Sequence, residues 1–234
     1  MSATFRRPIT GISSMATRAL LADLARDYET EQAQPVAIES VGGVDAARRV
    51  QAGEAFDVVI LASDAIARLL EAGPLLVAGS VVDLVRSEVV AAVPAGTRRP
   101  DLSTEAGLRR AVMAARRIGY STGPSGTQLL RLFERWGVMN ELQGRLVQAP
   151  PGVPVGALIA RREVDIGFQQ ASELLGVDGI EVAGALPAPV QIVTVFSGAV
   201  ATTSSRPVEA AAFLAFLASP QAAAAKQRHG MSSA

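Results

Sequence analysis

The sequence contains no cysteine, one histidine and one lysine, and these scarcities narrow the chemistry that the chain can perform. Without thiols there is no disulfide, no thiolate metal ligand and no thiol nucleophile. A single histidine excludes a multi-histidine metal site. A serine triad would have to use His229, which lies in the C-terminal tail, so we expect none. Lys226 lies in an alanine-rich terminal segment, and we predict a solvated lysine there rather than a Schiff base.

Charge and long apolar runs are also scarce. The 22 basic and 22 acidic residues balance, and no basic stripe stands out, so we expect no nucleic-acid partner. No apolar run reaches the length of a membrane span without charges, which predicts no membrane insertion. The first residues, MSATFRRPITGISS, lack the apolar segment of a secretory signal. The sequence as written therefore predicts a cytoplasmic protein, or a periplasmic one if a signal segment has been removed.

The segments that are present alternate between short apolar runs and helical periods. FDVVILASD leads into AIARLLEAG, and RIGYSTGPSG leads into TQLLRLFERWGV. The apolar runs are continuous rather than alternating, which is typical of parallel strands that are covered on both faces. This pattern predicts an α/β protein with mostly parallel sheets flanked by helices.

The order of the segments indicates two lobes. We predict that lobe I comprises residues 1–84 and 195–234, and that lobe II comprises 85–194. Two β-rich segments, VVDLVRSEVVAAV and VQIVTVFSGAV, would cross from one lobe to the other and form a hinge. In this arrangement we expect the ligand cleft to lie between the lobes.

Polar or glycine-rich turns follow five of the predicted strands. Ligands of parallel α/β sheets bind where such turns meet helix N-termini, which favour anions. An N-terminal cap is the simpler interpretation of any one turn, because a single hydroxyl suffices for it. The candidate residues in these turns are Ser13 and Ser14, Ser40 to Gly43, Ser63 and Asp64, 121–127, and Gln169 and Gln170.

The turn at 121–127, STGPSGT, is more than a cap requires. It carries four hydroxyls, of which Thr122, Ser125 and Thr127 are candidate ligand donors, and Gly126 would let the backbone approach a ligand. A P-loop is excluded because Thr127, and not a lysine, follows Gly126. We therefore favour an anion cradle at this helix start over a plain cap.

Arg18 is a candidate for recognising a carboxylate. If the first helix starts at Ser14, Arg18 lies one turn into it on the same face. A guanidinium group binds a planar carboxylate with two hydrogen bonds. The alternative is an ordinary surface arginine, or an ion pair with Asp23 or with an acidic residue of the neighbouring lobe, and the sequence leaves these open.

Four segments cover most of the chain and share one resemblance: GISSMATRALLADLARDYE, AARRVQAGEAFDVVILASDAIARLLEAG, VPVGALIARREVDIGFQQASELL and FLAFLASPQAAAAKQRHGM. Each is similar to a segment of the molybdate-binding-protein-like branch of the type 2 periplasmic binding proteins. The resemblance implies a two-lobed fold that holds a small anion with hydroxyls and backbone amides, and it implies an ABC permease as partner if the protein is exported.

The resemblance also implies which residues bind the ligand. Ser14 matches the serine of the family's first turn, and the second lobe would donate amides from 121–127, Pro154 and Val155. Gly42 and Gly43 stand where the family has serines, and Gln170 stands where it has a tyrosine. These changes favour a ligand that is larger than molybdate. Gln169 and Gln170 could donate to its carboxylate or carbonyl oxygens.

A further resemblance, to aconitate isomerase, implies that the same fold could isomerise an unsaturated carboxylate without a cofactor or a metal. Such a reaction needs a base within hydrogen-bond reach of a carbon acid. Asp64, Tyr120 and a serine or threonine hydroxyl are the candidates, and the sequence does not choose among them. The fold also serves as the effector domain of transcription factors, but no helix-turn-helix precedes Thr10. The hypotheses are thus a binding protein, an isomerase and a sensor domain.

Overall fold

The chain forms two compact units in the computed structural model, which describes residues 6–150 and 152–234. The first unit contains 6–86 and Val195–Ala234, and the second contains Ser87–Thr194. The chain therefore passes between the units twice, once within strand β4 (Val82–Pro94) and once within strand β9 (Val193–Val200). Residues 1–5, which belong to the segment predicted to carry no signal, lie outside the described residues.

Strands and helices alternate along the first unit, as the sequence predicts. After β1 the chain makes one turn of 3-10 helix, Met15–Thr17, before the first α-helix. The remaining elements of this unit are β1 (Ile9–Ser14), α1 (Arg18–Gln32), β2 (Val36–Val41), α2 (Gly43–Gln51), β3 (Val58–Ala62), α3 (Ser63–Glu71), α9 (Pro207–Ala218), α10 (Ala223–Arg228) and β10 (Met231–Ser233), together with parts of β4 and β9.

The sheet of the first unit places three strand ends at one edge. β1 pairs in parallel with β2 and β3, with Ser13 opposite Ser40, and β9 runs antiparallel to β3. β3 is buried along its whole length, as expected of a strand that is covered on both faces. Because a helical segment follows each of β1, β2 and β3 within a residue or two, the N-termini of these segments lie at this carboxyl edge.

Helices cover both faces of this sheet. Leu24 of α1 and Phe213 of α9 belong to one apolar cluster, and Val50 of α2 and Ile66 of α3 belong to another. Tyr28 meets the Phe213 ring edge-on, with 5.1 Å between centroids. Burial of such side chains contributes about 2 kcal/mol each, so these clusters stabilise the positions at which the helices begin.

The C-terminal segment corrects two predictions. Lys226 is not solvated: its side chain is 1% exposed, and its Nζ lies 3.5 Å from the hydroxyl of Ser233 in β10. This burial lowers the pKa of Lys226. His229 does not lie in an isolated tail, because its Nε2 is 2.6 Å from Oδ2 of Asp23. That hydrogen bond lowers the pKa of Asp23, which also pairs with Arg26 rather than with Arg18.

The second unit has the same alternation of strands and helices. Its elements after β4 are α4 (Glu105–Ala114), β5 (Ile118–Tyr120), α5 (Pro124–Arg135), α6 (Met139–Leu142), β6 (Leu146–Gln148), α7 (Val155–Ala160), β7 (Ile166–Gln170), α8 (Ala171–Leu174) and β8 (Ile180–Ala185). β5 is parallel to β6 and β7, whereas β4 is antiparallel to β7 and β8. The carboxyl ends of β5, β6 and β7 therefore share one edge.

Two helical layers cover the sheet of the second unit. Leu108 of α4 and Phe133 of α5 pack with Phe168 on one face, whereas Ile159 of α7 and Leu174 of α8 belong to the cluster on the other. Successive β7 residues thus point into different clusters. This alternation decides where the polar side chains at the end of β7 are directed.

No single helix within the described ranges is long and apolar enough to cross a membrane. The C-terminal helical segments Pro207–Ala218 and Pro220–Arg228 would meet those criteria only as a pair bent by 54°.

Candidate functional site

The first strand end brings Ser14 beside the start of α2. A Cβ built on Gly43 would lie 3.8 Å from the Cβ of Ser14, so the two residues are neighbours. The Ser14 hydroxyl makes no hydrogen bond within the described ranges, and it does not cap the helical turn that follows it. The first amides of α2 lack partners within the helix. This corner, which we call the Ser14 corner, therefore offers a hydroxyl and backbone N–H groups to an anion.

Ser13, although adjacent, is used by the fold. It is fully buried, and its hydroxyl lies 2.7 Å from that of Ser40 on the neighbouring strand. The same hydroxyl also donates to the carbonyl oxygen of Ser14. Its contacts therefore fix β1 against β2 at the base of the Ser14 corner.

Gly42 and Gly43 leave space at the Ser14 corner. Gly42 precedes α2 with a φ of −55°, which any residue adopts. A Cβ there would come no closer than 3.6 Å to Asp45, an ordinary contact, and the corresponding distance for Gly43 is 3.8 Å. The first unit therefore has no steric need for glycine at either position, and their missing side chains leave room beside Ser14.

Arg18 is exposed and makes no ion pair with any described residue. It is the first residue of α1, directly after the turn that begins at Ser14. The alternative pairing with Asp23 is wrong, because Asp23 contacts Arg26 and His229 instead. The guanidinium group therefore keeps all its donors for solvent or a ligand.

The polar side chains at the carboxyl end of β3 form hydrogen bonds and ion pairs within the fold. The Ser63 hydroxyl donates to the carbonyl oxygen of Val195 at 3.0 Å and lies 2.6 Å from the Ser197 hydroxyl, which in turn donates to Asp83. Asp64 is exposed and pairs with Arg68 one turn later, at 2.9 Å. Ser63 thus connects α3 to β9 through hydrogen bonds. Asp64 forms a surface ion pair and is not an isolated base.

The turn before α5 folds tightly over the first turn of that helix. Gly123 is the N-cap, and Pro124 is the first helical residue, a position that favours proline. A Cβ on Gly126 would lie 1.9 Å from the carbonyl oxygen of Ser121, so only glycine fits there. Gly126 therefore accommodates its own loop, which by itself accounts for the glycine. The approach of its backbone to a ligand stays a prediction.

The hydroxyls of this turn divide into two pairs. Ser121 and Ser125 lie 3.0 Å apart and hydrogen-bond to each other. Thr122 and Thr127 are exposed, and their hydroxyls have no partner in the described part of the chain. The turn therefore presents two unused hydroxyls at the N-terminus of a 12-residue helix, where the helix dipole favours an anion.

Val155 and Gln169 are brought together, but they bind each other. Pro154 is the N-cap of α7, and the Val155 amide N–H donates to Oε1 of Gln169 at 2.8 Å. The Nε2 of Gln169 donates in turn to Oε1 of Glu173, also at 2.8 Å. Both predicted ligand donors are therefore engaged inside the second unit, and a ligand oxygen at the Val155 amide would have to replace Gln169.

The side chain of Gln170 points to the opposite face of the sheet from that of Gln169. Its Nε2 donates to the Thr194 hydroxyl at 2.7 Å, and its Oε1 is buried without a partner. The hydroxyls of Ser87 and Ser172 are buried and unpaired in the same way. The prediction grouped Gln169 with Gln170, but the alternation of the strand sends them to different neighbours.

Glu173 is the titratable group that the sequence did not reveal. It lies in α8, directly after β7, and is half-buried beside Gln169. Burial raises the pKa of its carboxyl group to about 7, and the hydrogen bond from Gln169 offsets part of that effect. In SELLGV a glutamate at a helix start suggests an ordinary first-turn charge. The Tyr120 ring, in contrast, packs against the apolar core of the second unit.

The comparisons with known proteins decide the family. A model of the family described as bacterial extracellular solute-binding protein matches residues 9–232. The chain belongs to this family. Among curated proteins, the aconitate isomerase of a Pseudomonas species is 33% identical to this solute-binding family member over 229 residues, which cover 95% of this chain and 87% of the isomerase.

Solved structures with lower identity share the fold. The periplasmic molybdate-binding protein of Azotobacter vinelandii superimposes with a TM-score of 0.79 at 18% identity, covering 95% of this chain and 98% of its own. PEB3 of Campylobacter jejuni with L-phospholactate bound gives a TM-score of 0.76 at 15% identity, covering 97% and 100%. The predicted α/β fold of the type 2 periplasmic binding proteins is therefore confirmed.

Proposed function

We propose that this solute-binding protein binds a small di- or tricarboxylate anion at the carboxyl ends of its strands. The Ser14 corner carries the proposal, because it combines an unused hydroxyl, unpaired helix amides and open space with the unpaired Arg18 nearby in sequence. In the second unit we propose Thr122, Ser125, Gly126 and Thr127 as further anion contacts. We also propose the Val155 amide as an anion contact, which requires that its N–H releases Gln169. The ligand roles that the sequence suggests for Pro154, Gln169 and Gln170 stay predictions.

A carboxylate is favoured over a compact oxyanion for two reasons. A guanidinium group matches the planar carboxylate with two parallel hydrogen bonds. The missing side chains of Gly42 and Gly43 leave room that a tetrahedral oxyanion does not need. The neighbour PEB3 is described with L-phospholactate, and the Pseudomonas relative is named for its action on aconitate; both ligands carry carboxylates.

Thermal-shift measurements test the binding proposal. A ligand that binds only the folded state raises the melting temperature, by an amount that grows with its concentration over its Kd. We expect citrate, cis-aconitate or trans-aconitate to raise the melting temperature by several degrees, and molybdate, sulfate and phosphate to raise it less. A rise with molybdate alone would refute the carboxylate proposal.

The Arg18→Ala variant tests whether Arg18 binds the carboxylate group of the ligand. Loss of a charge-assisted hydrogen bond removes about 1.5–3 kcal/mol, which is roughly a 10- to 100-fold weaker affinity. The matched control is Arg98→Ala. Arg98 is also exposed and pairs with no acidic residue of the described chain. It follows β4, which runs antiparallel to β7, and so lies away from the strand carboxyl ends. Equal effects of the two substitutions would remove Arg18 from the site.

A second candidate function is the cofactor-independent isomerisation of an unsaturated carboxylate. The observation that favours it is the 33% identity to aconitate isomerase along 95% of this chain. Incubation of the purified protein with cis-aconitate, followed by proton NMR, would detect the trans isomer directly. Binding without conversion would leave the chain as a solute-binding protein in the narrow sense. In that case we propose a periplasmic location and delivery of the ligand to an ABC permease.

A further inference from the structure

Glu173 differs from the other carboxyl groups of the described chain. The remaining acidic residues with a perturbed pKa, for example Asp101 and Asp165, have it lowered by hydrogen bonds or by arginines. Among the described residues, the Glu173 carboxyl group has no cationic partner, and the one hydrogen bond it accepts comes from the uncharged amide of Gln169. It is therefore a carboxyl group held in place without being neutralised by a counter-charge.

Within α7, α8 and β7, Glu173 is the one titratable residue. α8 packs against β7 and α7. β7 has the sequence IGFQQ and α7 the sequence VGALIA, neither of which carries a charge, and Glu173 is the one ionisable residue of α8. Apolar neighbours on this face include Val155 and Leu174. Nothing in these elements competes with Glu173 for a proton.

Glu173 also lies at the edge where ligands are expected. α8 starts immediately after Gln170, at the carboxyl end of β7. Glu173 is connected through Gln169 to the amide of Val155 by two hydrogen bonds of 2.8 Å. Its second oxygen, Oε2, accepts no hydrogen bond from the described residues. One oxygen is thus oriented by Gln169, and the other has no donor among the described residues.

We propose that Glu173 is the catalytic proton carrier for isomerisation of an unsaturated carboxylate, an inference that rests on the second candidate function above. Its carboxylate takes a proton from the methylene carbon of the substrate and returns it to the far carbon of the allyl system. Gln169 is the positioning residue that orients the carboxyl group.

The proposed step balances without a cofactor. The methylene C–H bond breaks and an O–H bond forms on Glu173, while the electron pair spreads over three carbons and the attached carboxylates. The O–H bond then breaks as the proton moves to the far carbon, and the double bond shifts by one position. Nothing is oxidised or reduced. A carrier must be able to accept and release a proton, and a pKa of about 7 allows both near neutral pH.

The test compares Glu173→Gln with wild type and with Asp178→Asn, a substitution of an exposed acid in the same unit. Proton NMR follows the interconversion of cis- and trans-aconitate, and thermal shift follows binding of the same compounds. We expect Glu173→Gln to slow interconversion by about 10²- to 10⁴-fold while keeping the ligand-induced rise in melting temperature. Asp178→Asn should change neither. The wild-type rate should fall as the pH drops below about 7, where Glu173 becomes protonated.

The contrary results are distinct from one another. A Glu173→Gln rate within threefold of wild type overturns the assignment of Glu173 but leaves the isomerase. A wild-type protein that binds aconitate without converting it overturns the inference and leaves the binding proposal. If no carboxylate stabilises the protein, both the proposed function and the inference that rests on it are overturned. If Glu173→Gln does not fold, Glu173→Asp keeps the charge but shortens the reach, and an unchanged rate in that variant overturns the inference.

Discussion

Gln169 and Gln170 are consecutive in β7, yet their side chains hydrogen-bond on opposite faces of the sheet. Gln169 bridges the Val155 amide and Glu173, whereas Gln170 binds the Thr194 hydroxyl. Gln169 therefore accepts the hydrogen bond from the Val155 N–H, which was expected to serve a ligand. Gln170 makes no contact with that N–H. A single side chain at this strand end competes with the anion for the same donor.

This competition predicts that Gln169→Ala tightens anion binding. The substitution removes the internal acceptor of the Val155 N–H, and a net hydrogen bond is worth about 1 kcal/mol, or roughly a fivefold change in affinity. Titration calorimetry with citrate or trans-aconitate measures it. A weaker affinity would mean that Gln169 itself contacts the ligand. An unchanged affinity would mean that the ligand does not bind the Val155 amide.

A paired substitution tests the turn before α5. Gly126→Ala forces a Cβ to within 1.9 Å of the Ser121 carbonyl oxygen, so the loop must move, and we expect a loss of about 2 kcal/mol or more. Gly123→Ala is the matched control, since its Cβ meets nothing closer than 4.0 Å and its φ is −82°. Urea denaturation measures both. Equal losses would contradict the described loop geometry.

The Gly43→Ser variant tests whether the ligand occupies the space beside Ser14. The added Cβ makes an ordinary contact at 3.8 Å, so we expect little change in the melting temperature without ligand. The added hydroxymethyl group should weaken tricarboxylate binding by about tenfold or more, because it fills room that the ligand needs, and it should affect phosphate less. Calorimetry on variant and wild type gives the ratio. Undiminished tricarboxylate binding would place the ligand elsewhere.

Glu173 predicts a pH dependence of stability. Its pKa rises from 4.5, the ordinary value of a solvated glutamate, to about 7 in the folded chain, so the folded state holds the proton more tightly. Stability is therefore lost as pH rises from about 4.5 to 7, by up to about 3 kcal/mol for this group. Glu173→Gln should remove that loss.

Denaturation of both proteins at pH 5 and pH 8 checks the sign. The variant should gain stability over wild type at pH 8 relative to pH 5, and Asp178→Asn should show no such difference. A parallel pH dependence in wild type and Glu173→Gln would contradict the burial of this carboxyl group.

The parts of the molecule that the sequence predicts are those set by local pattern. Continuous apolar runs and the turns after them identify the strands, and parallel pairing then places Ser14 and Gly43 at one edge. The turn at 121–127 leads into α5, with Pro124 at the first helical position, which favours proline. The predicted lobe boundaries and ligand contacts remain predictions, because they concern long-range arrangement and a ligand.

The residues that escaped prediction depend on distant packing. Ser63 looked like a cap or donor, but its partner Ser197 lies 134 residues away in sequence. Lys226 looked solvated, and the packing of α10 against α1 and β10 buries it. Glu173 looked like a first-turn charge until α8 packed onto α7 and β7. Such environments have no signature within a short window of sequence.

Titration calorimetry of the wild-type protein with trans-aconitate, citrate and molybdate tests the central claim most directly. The account predicts saturable binding of at least one tricarboxylate, weakened roughly 10- to 100-fold by Arg18→Ala and unchanged by Arg98→Ala. Saturable binding of molybdate with no heat from either tricarboxylate would contradict it.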